Sequence, residues 1–218
     1  MSIKHHLTDA LLMAYSAGEL PEAFNLVVAT HVSLCDECRA RLASFDAVGG
    51  AVLEECEDAS MTPDALAATM ERIRMGSGAP IHTDAATRRH LSALFPAPLR
   101  DYVGGDIDAV KWRPVGGGVR QAILPTSKDA SVRLLLIPAG AAVPDHGHRG
   151  LELTQVLKGA FRDEHDRFGA GDIEVATEAD VHTPVAEPGE DCICLAATDA
   201  PLKFTGLLPR LAQPFFRI

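Results

Sequence analysis

The chain has 218 residues, with 20 Lys and Arg against 30 Asp and Glu, a formal net charge of −10 and an apolar fraction of 47%. That length allows one large domain or two small ones, and the apolar share is enough for a packed core and speaks against global disorder. The acidic balance argues against sequence-independent binding to DNA or anionic lipid; it fits a basic protein partner, although solubility alone accounts for it.

No apolar run reaches ~18 residues, so no transmembrane helix is expected. The start, Met1-Ser2-Ile3-Lys4-His5-His6, lacks the apolar core of a signal peptide. The expectation is a cytosolic protein. Five cysteines, an odd number, then favour metal or redox roles over a disulfide framework.

Residues 1–76 read as helical. Thr8 or Asp9 can cap a helix carrying Leu11, Leu12 and Tyr15 that stops at Gly18. Pro21 can open a second helix through Phe24, Leu26, Val27 and Val28. A third follows through Leu42, Phe45 and Val48, with Gly49-Gly50 as a weak point or a bend. A fourth starts with Thr62 as cap, Pro63 in the first turn and Asp64 favourable to the dipole, and ends at Gly76. Leu66, Met70 and Ile73 form one apolar stripe on it. That stripe is either core or a partner surface of the helix-in-groove kind.

Between the second and third helices stands His31-x3-Cys35-x2-Cys38. His31 and Cys35 are one helical turn apart and Cys38 follows at the junction, so three side chains converge. Two thiolates and an imidazole at such a corner suit zinc. Zinc takes four ligands; His6 is the first candidate for the fourth and His5 the alternative. The bland alternative is a pair of buried thiols near a surface histidine. A thioredoxin-type reading fails, because no βαβ pattern surrounds the cysteines.

Residues 77–97 read as a linker, opened by Ser77-Gly78-Ala79-Pro80 and closed by Pro96-Ala97-Pro98, with one short helix allowed over Thr83–Phe95. From residue 98 onward the pattern turns to strands: Val110–Arg113, Val119–Leu124, Ser131–Ile137, Glu152–Leu157, Ile173–Val175, Cys192–Ala197 and Lys203–Leu207. Short turn-bounded strands suggest a sandwich or barrel. Gly116-Gly117-Gly118 is a turn between two of them and not a phosphate loop.

Within this region lies Asp145-His146-Gly147-His148-Arg149-Gly150-Leu151-Glu152. In an extended segment His146 and His148 share a face, and Asp145 points away from it. Two imidazoles and a carboxylate on one face make a ligand set for a divalent metal with open positions. Gly140 lies six residues before His146 and Gly159 seven after Glu152. The stretch resembles the first cupin motif, with every spacing kept. The second cupin motif implies a later histidine, and His182 fits, although the usual proline and late asparagine are absent.

Cys192 and Cys194 share a strand face; small core residues are the commoner role for such thiols, with a sensor role as the alternative. Cys56 is read as a packing or partly exposed thiol. His165, in Asp163-Glu164-His165-Asp166, reads as a solvated loop residue, and His82 and His90 take no role.

An upstream histidine followed by His-x3-Cys-x2-Cys, within about 75 helical residues and ahead of a cupin, resembles the ChrR-type anti-sigma factors. Stretches carrying the likeness include His5-His6, Val28–Arg41, Gly116–Pro125, Pro144–Leu153, Asp191–Leu195 and Gln213–Ile218. The implied fold is α+β multidomain: a helical zinc-binding anti-sigma domain of about four helices at 1–76, the linker, and an all-β cupin barrel or jelly roll at 98–218. The implied zinc ligands are His6, His31, Cys35 and Cys38. The implied cupin ligands are His146, His148, Glu152 and His182, for zinc or another divalent metal. The implied partner is an extracytoplasmic-function-type sigma factor, held until singlet oxygen or related oxidative stress is sensed through the cupin, with neither DNA nor membrane contacted. The implied protein is a regulator and not an enzyme. Two other readings stand beside it: a cupin metalloenzyme of dioxygenase or isomerase type with an accessory zinc domain, and a zinc scaffold for some other protein.

Overall fold

The computed structural model describes residues 2–76, 93–204 and 206. Five helices come first: α1 (Asp9–Ser16), α2 (Glu22–Leu34), α3 (Asp36–Glu54), α4 (Ala65–Met75) and α5 (Ala97–Val103). Twelve strands follow: β1 (Arg113–Gly116), β2 (Val119–Leu124), β3 (Ser131–Ile137), β4 (His146–Gly147), β5 (Glu152–Lys158), β6 (Ala160–Arg162), β7 (Arg167–Gly169), β8 (Ile173–Ala176), β9 (Val181–His182), β10 (Val185–Ala186), β11 (Cys192–Thr198) and β12 (Lys203–Phe204). Helices followed by a cupin-type β domain is the α+β architecture that the motifs imply.

The Thr8 side chain caps α1 by accepting from the Leu11 amide, which satisfies one of the donors left open at a helix start. In α2, Ala23, Phe24, Leu26, Val27, Val28, Thr30 and His31 are all buried. A helix apolar on nearly every side lies between layers, and α2 contacts α1, α3 and α5 as well as β3, β5 and β11. Leu34 closes α2, and Cys35 is both its last cap and the first cap of α3.

Three expectations for the helices differ from the structure. α4 begins at Ala65, capped by Asp64 without a side-chain bond, and Thr62 contributes only its carbonyl. α3 runs unbroken through Gly49-Gly50 to Glu54; two exposed glycines cost ~1 kcal/mol each, too little to end a 19-residue helix. Around Pro96-Ala97-Pro98, where a linker was expected to close, α5 forms instead. Proline is tolerated in a first turn, where no amide is needed, Leu99 is fully buried and Gly104 ends the helix at φ +79°. Asp106 accepts from the Leu94, Phe95 and Ile107 amides and locks the segment.

The main sheet has the order β1-β2-β3-β11-β5-β8, and two three-stranded sheets, β10-β6-β7 and β12-β4-β9, stand apart from it. The three do not close into one continuous barrel. Val110–Arg113 was expected as a strand; a 3-10 turn occupies Ile107–Ala109 and pairing starts at Arg113. Of the expected strand Lys203–Leu207, β12 covers two residues, and 205 and 207 lie outside the described residues. So do His82, His90 and the tail Gln213–Ile218.

Alternation along the main sheet makes two faces. Val132, Leu134, Leu153, Ile193 and Leu195 pack into one apolar cluster with Phe24, Val27 and Val28 of α2. Arg133, Leu135, Glu152, Thr154, Cys194 and Ala196 face a cavity of about 530 Å³ on the other side. The helices therefore share an apolar core with the outer face of the sheet. Glu22 of α2 adds polar ties, accepting from the Tyr102 hydroxyl at 2.8 Å and the Ser127 amide at 2.7 Å.

Gly159, the last glycine of the cupin motif, links β5 to β6 at φ +71°, and a Cβ there would lie 2.7 Å from the Asp191 carbonyl oxygen. Gly159→Ala is expected to cost about 2 kcal/mol through the strained backbone and the clash, lowering Tm by ~5 °C for a chain of this size. A thermal melt checks this; an unchanged Tm would mean the turn relaxes freely.

Candidate metal centres

The first cluster forms at the α2–α3 corner. His31 lies in the last turn of α2, Cys35 at the junction, Cys38 in the first turn of α3, and His6 arrives on the segment before α1. One ligand atom from each lies within 4.8 Å of the others. His6 Nδ1 is 3.3 Å from Cys35 Sγ and 3.8 Å from Cys38 Sγ. These separations bracket the ~3.6 Å expected for an imidazole nitrogen and a thiolate on one tetrahedral zinc with bonds of about 2.1 and 2.3 Å. The second nitrogen of His6 faces Glu37 at 3.3 Å, the outer carboxylate that commonly fixes a ligand imidazole's tautomer.

His31 is fully buried, and among the described residues neither of its ring nitrogens has a well-aligned hydrogen-bond partner. Burial, then the nearby His6, lowers its pKa to about 4, so the ring is neutral with a lone pair to offer. Burial pushes the Cys38 thiol up to about 11; a bound cation would reverse that preference. A buried imidazole without a well-aligned partner and two buried thiols fit a divalent metal better than a metal-free core. His5, the alternative fourth residue, turns the other way, with Nε2 3.0 Å from Asp166 and its ring on Phe168.

The second cluster is His146, His148 and His182, all buried, with one ring nitrogen from each within 4.8 Å of the others. His146 pairs with His182 across β4 and β9. His146 Nδ1 donates to the Pro144 carbonyl at 2.8 Å, and His182 Nδ1 meets Glu174 Oε1 at 2.9 Å and Asp163 Oδ2 at 3.2 Å. Both rings therefore present Nε2 inward, where the two Nε2 atoms lie 3.2 Å apart. Two lone pairs facing each other at that distance need a proton or a cation between them. Among the described residues His148 has no hydrogen-bond partner at either nitrogen. Glu152 flanks the triad, 3.6 Å from His148 Nδ1 and bonded to the Thr154 hydroxyl. Three imidazoles with a carboxylate alongside suit zinc or another divalent transition metal.

Charge around His182 is concentrated. Burial would lower it, but Glu174 and Asp163 outweigh that and raise it to about 9. Burial raises Glu174 to about 7. Asp163 falls to about 2, because the Asp166 and His165 amides it accepts outweigh its burial. Neither carboxyl was singled out from the sequence. Strand alternation could have found Glu174, since Ile173 and Val175 belong to the opposite face. Asp163 had no signal, being one acid in an acidic loop.

Cys192 and Cys194 sit side by side with sulfurs 3.5 Å apart, both buried. Cys194 lines the cavity, its pKa raised by the Cys192 thiol beside it and by burial. His165 is exposed on the β6–β7 loop and Cys56 is exposed at the end of α3. Leu66, Met70 and Ile73 are 73%, 42% and 66% exposed, and no residue of α4 is buried.

This arrangement defines a cupin-fold protein headed by a helical module with two histidines and two cysteines at one corner. Residues 101–201 match the family model described as the ChrR cupin-like domain. The chain is 61% identical over 218 residues to the anti-sigma-E factor ChrR of Cereibacter sphaeroides, spanning the whole of both chains. It also matches one chain of the crystal structure of Rhodobacter sphaeroides SigE in complex with the anti-sigma ChrR, at TM-score 0.79 and 59% identity, covering 91% of this chain and 100% of that one. The chain belongs to the ChrR family of anti-sigma factors.

Proposed function

We propose that this chain is an anti-sigma factor. Its helical half holds an extracytoplasmic-function-type sigma factor, and its cupin half governs release under singlet oxygen or related oxidative stress. The 61% identity over the whole length to a relative named anti-sigma-E factor ChrR carries the anti-sigma part of the reading. The surface supports it. Val48, Val52 and Leu53 of α3 and Leu66, Met70, Ile73 and Met75 of α4 are all exposed, an apolar surface that a solitary chain would bury and a partner would cover. The cupin is then a regulatory centre and not an active site.

His6, His31, Cys35 and Cys38 would hold zinc, which when bound supplies a structural cross-link. His146, His148, His182 and Glu152 would hold zinc or a similar ion. No described helix is long and apolar enough to cross a membrane, and the proposed sigma-factor partner supports a cytoplasmic location.

The test is a binding and release assay with the cognate sigma factor. The intact chain should bind it and let it go after singlet oxygen exposure. With zinc in excess, so that the α2–α3 corner stays loaded in both proteins, His146→Ala/Glu152→Ala should bind it equally and retain it at least tenfold longer under the same exposure. Normal release from that variant would remove the cupin centre as sensor, and no binding by the intact chain would overturn the proposal itself.

A further inference from the structure

The two clusters are joined by one short piece of chain. Asp163 and Glu174 both address His182 Nδ1, at 3.2 and 2.9 Å. Between them in sequence lie the β6–β7 loop, β7 and the turn into β8. That stretch carries the seat of the N-terminal segment. Asp172 Oδ1 accepts from the Lys4 amide at 2.6 Å and the His5 amide at 3.1 Å. Its Oδ2 accepts from the Gly169 amide at 2.8 Å and lies 3.4 Å from His5 Nδ1. Asp166 holds His5 Nε2 at 3.0 Å, Phe168 supports the His5 ring with centroids 4.4 Å apart, and the Ile173 amide reaches the His5 carbonyl. The next residue along is His6.

Asp172 is 4% exposed and bonded into its own turn. It is a preset cradle and not a flexible surface contact. Its charge also reaches His31. A ligand held in place before the metal arrives costs no ordering on binding. Residues 2–8 have no helix or strand of their own to hold them. Leu7, buried in the core, fixes the chain on one side of His6, and the cradle fixes it on the other, so the two together set where His6 stands against Cys35 and Cys38.

We infer that the segment Asp163–Glu174 couples the two metal centres: Asp172 and Asp166 are positioning residues for His6 at the thiolate centre, and Asp163 and Glu174 are positioning residues for His182 at the cupin centre. This rests on the reading that both clusters hold metal. Loading the cupin centre fixes His182 against the two carboxyls, steadies the segment between them and so favours His6 in its ligating position. Emptying or damaging the cupin centre loosens the same segment and weakens the thiolate centre. By reciprocity, metal at the thiolate centre strengthens the cupin centre by the same factor. The coupling supplies a direct route from the cavity to the corner that anchors α3.

Cobalt(II) titration of the full-length chain tests it. The titrations use a Cys56→Ala/Cys192→Ala/Cys194→Ala background, where the thiolate-to-cobalt charge-transfer band can arise only at Cys35 and Cys38 and so reads that centre alone. Asp172→Ala should weaken cobalt binding there by ten- to a hundredfold, the usual effect of losing a supporting residue behind a ligand. Asp172→Asn should recover part of the loss, since its amide oxygen still accepts from Lys4 and His5. His148→Ala, which disables the cupin centre, should weaken the thiolate centre about fivefold or more and add nothing in an Asp172→Ala background. Wild-type affinity in Asp172→Ala, or a His148→Ala effect undiminished in that background, would overturn the coupling. No thiolate band in the wild type would instead overturn the metal reading and this inference with it. Should Asp172→Ala not fold, Asp166→Asn carries the test: its exposed carboxylate meets the His5 ring, and unchanged affinity there overturns the proposal.

Discussion

Replacing Cys35 and Cys38 together by alanine is expected to abolish metal at the α2–α3 corner and to lower sigma-factor affinity by more than a hundredfold. The argument starts from α3. Of its 19 residues only Cys38 is buried. Leu42 and Phe45 pack at its side, and Arg41 pairs with Asp9 of α1, but those are half-exposed contacts. An exposed ion pair contributes ~0–1 kcal/mol. A structural zinc site can supply on the order of 10 kcal/mol in a small helical unit. Here α2 is also held by its apolar contact with the sheet, so the chain should stay folded around α2 while α3 loses its fixed angle. α3 carries Val48, Val52 and Leu53 on its surface, so a wandering α3 also dismantles the docking face. Zinc content by chelator competition and affinity by calorimetry would read both effects. Full sigma affinity without bound metal would show that the helices hold their angle by packing alone.

The second large effect is expected from Leu66→Asp/Ile73→Asp. Both side chains are mostly exposed, so the change should alter stability by no more than ~0.5 kcal/mol. Buried apolar anchors at an interface commonly contribute ~2 kcal/mol or more each when removed, and two carboxylates in an apolar interface add a desolvation cost. Sigma affinity should therefore drop by about a thousandfold, with the melt and metal content unchanged. An interface elsewhere on the chain would leave affinity at the wild-type level, and the α4 stripe would lose its assigned role.

Much of the first cluster was legible because it is local. His31, Cys35 and Cys38 are placed by helical spacing, and the structure brings them together with the more distant His6 at 3.3 Å from a cysteine sulfur. The central strands were legible for a similar reason. β2 and β3 carry the alternation of a two-faced sheet, and the expected bounds Val119–Leu124 and Ser131–Ile137 match those observed. Of the cupin histidines, His146 and His182 sit on strands of two residues each and His148 lies just past the first of these, too little for any periodic signal. Only the motif spacing pointed to them.

What the residues determined by themselves was the chemistry and the local geometry: helical corners, strand faces, and side chains suited to zinc. The tertiary structure decided which groups meet. α5 forms because Leu99 finds a buried place against α2, a gain invisible in seven residues. The choice of His6 over His5 came from Asp166, Asp172 and Phe168, about 160 positions away. Asp163 and Glu174 became partners of His182 only once the β6–β7 loop and β8 were folded against β9. Local periodicity reports a residue's neighbours within a turn or a strand. Contacts across such sequence distances depend on packing that no window of sequence contains.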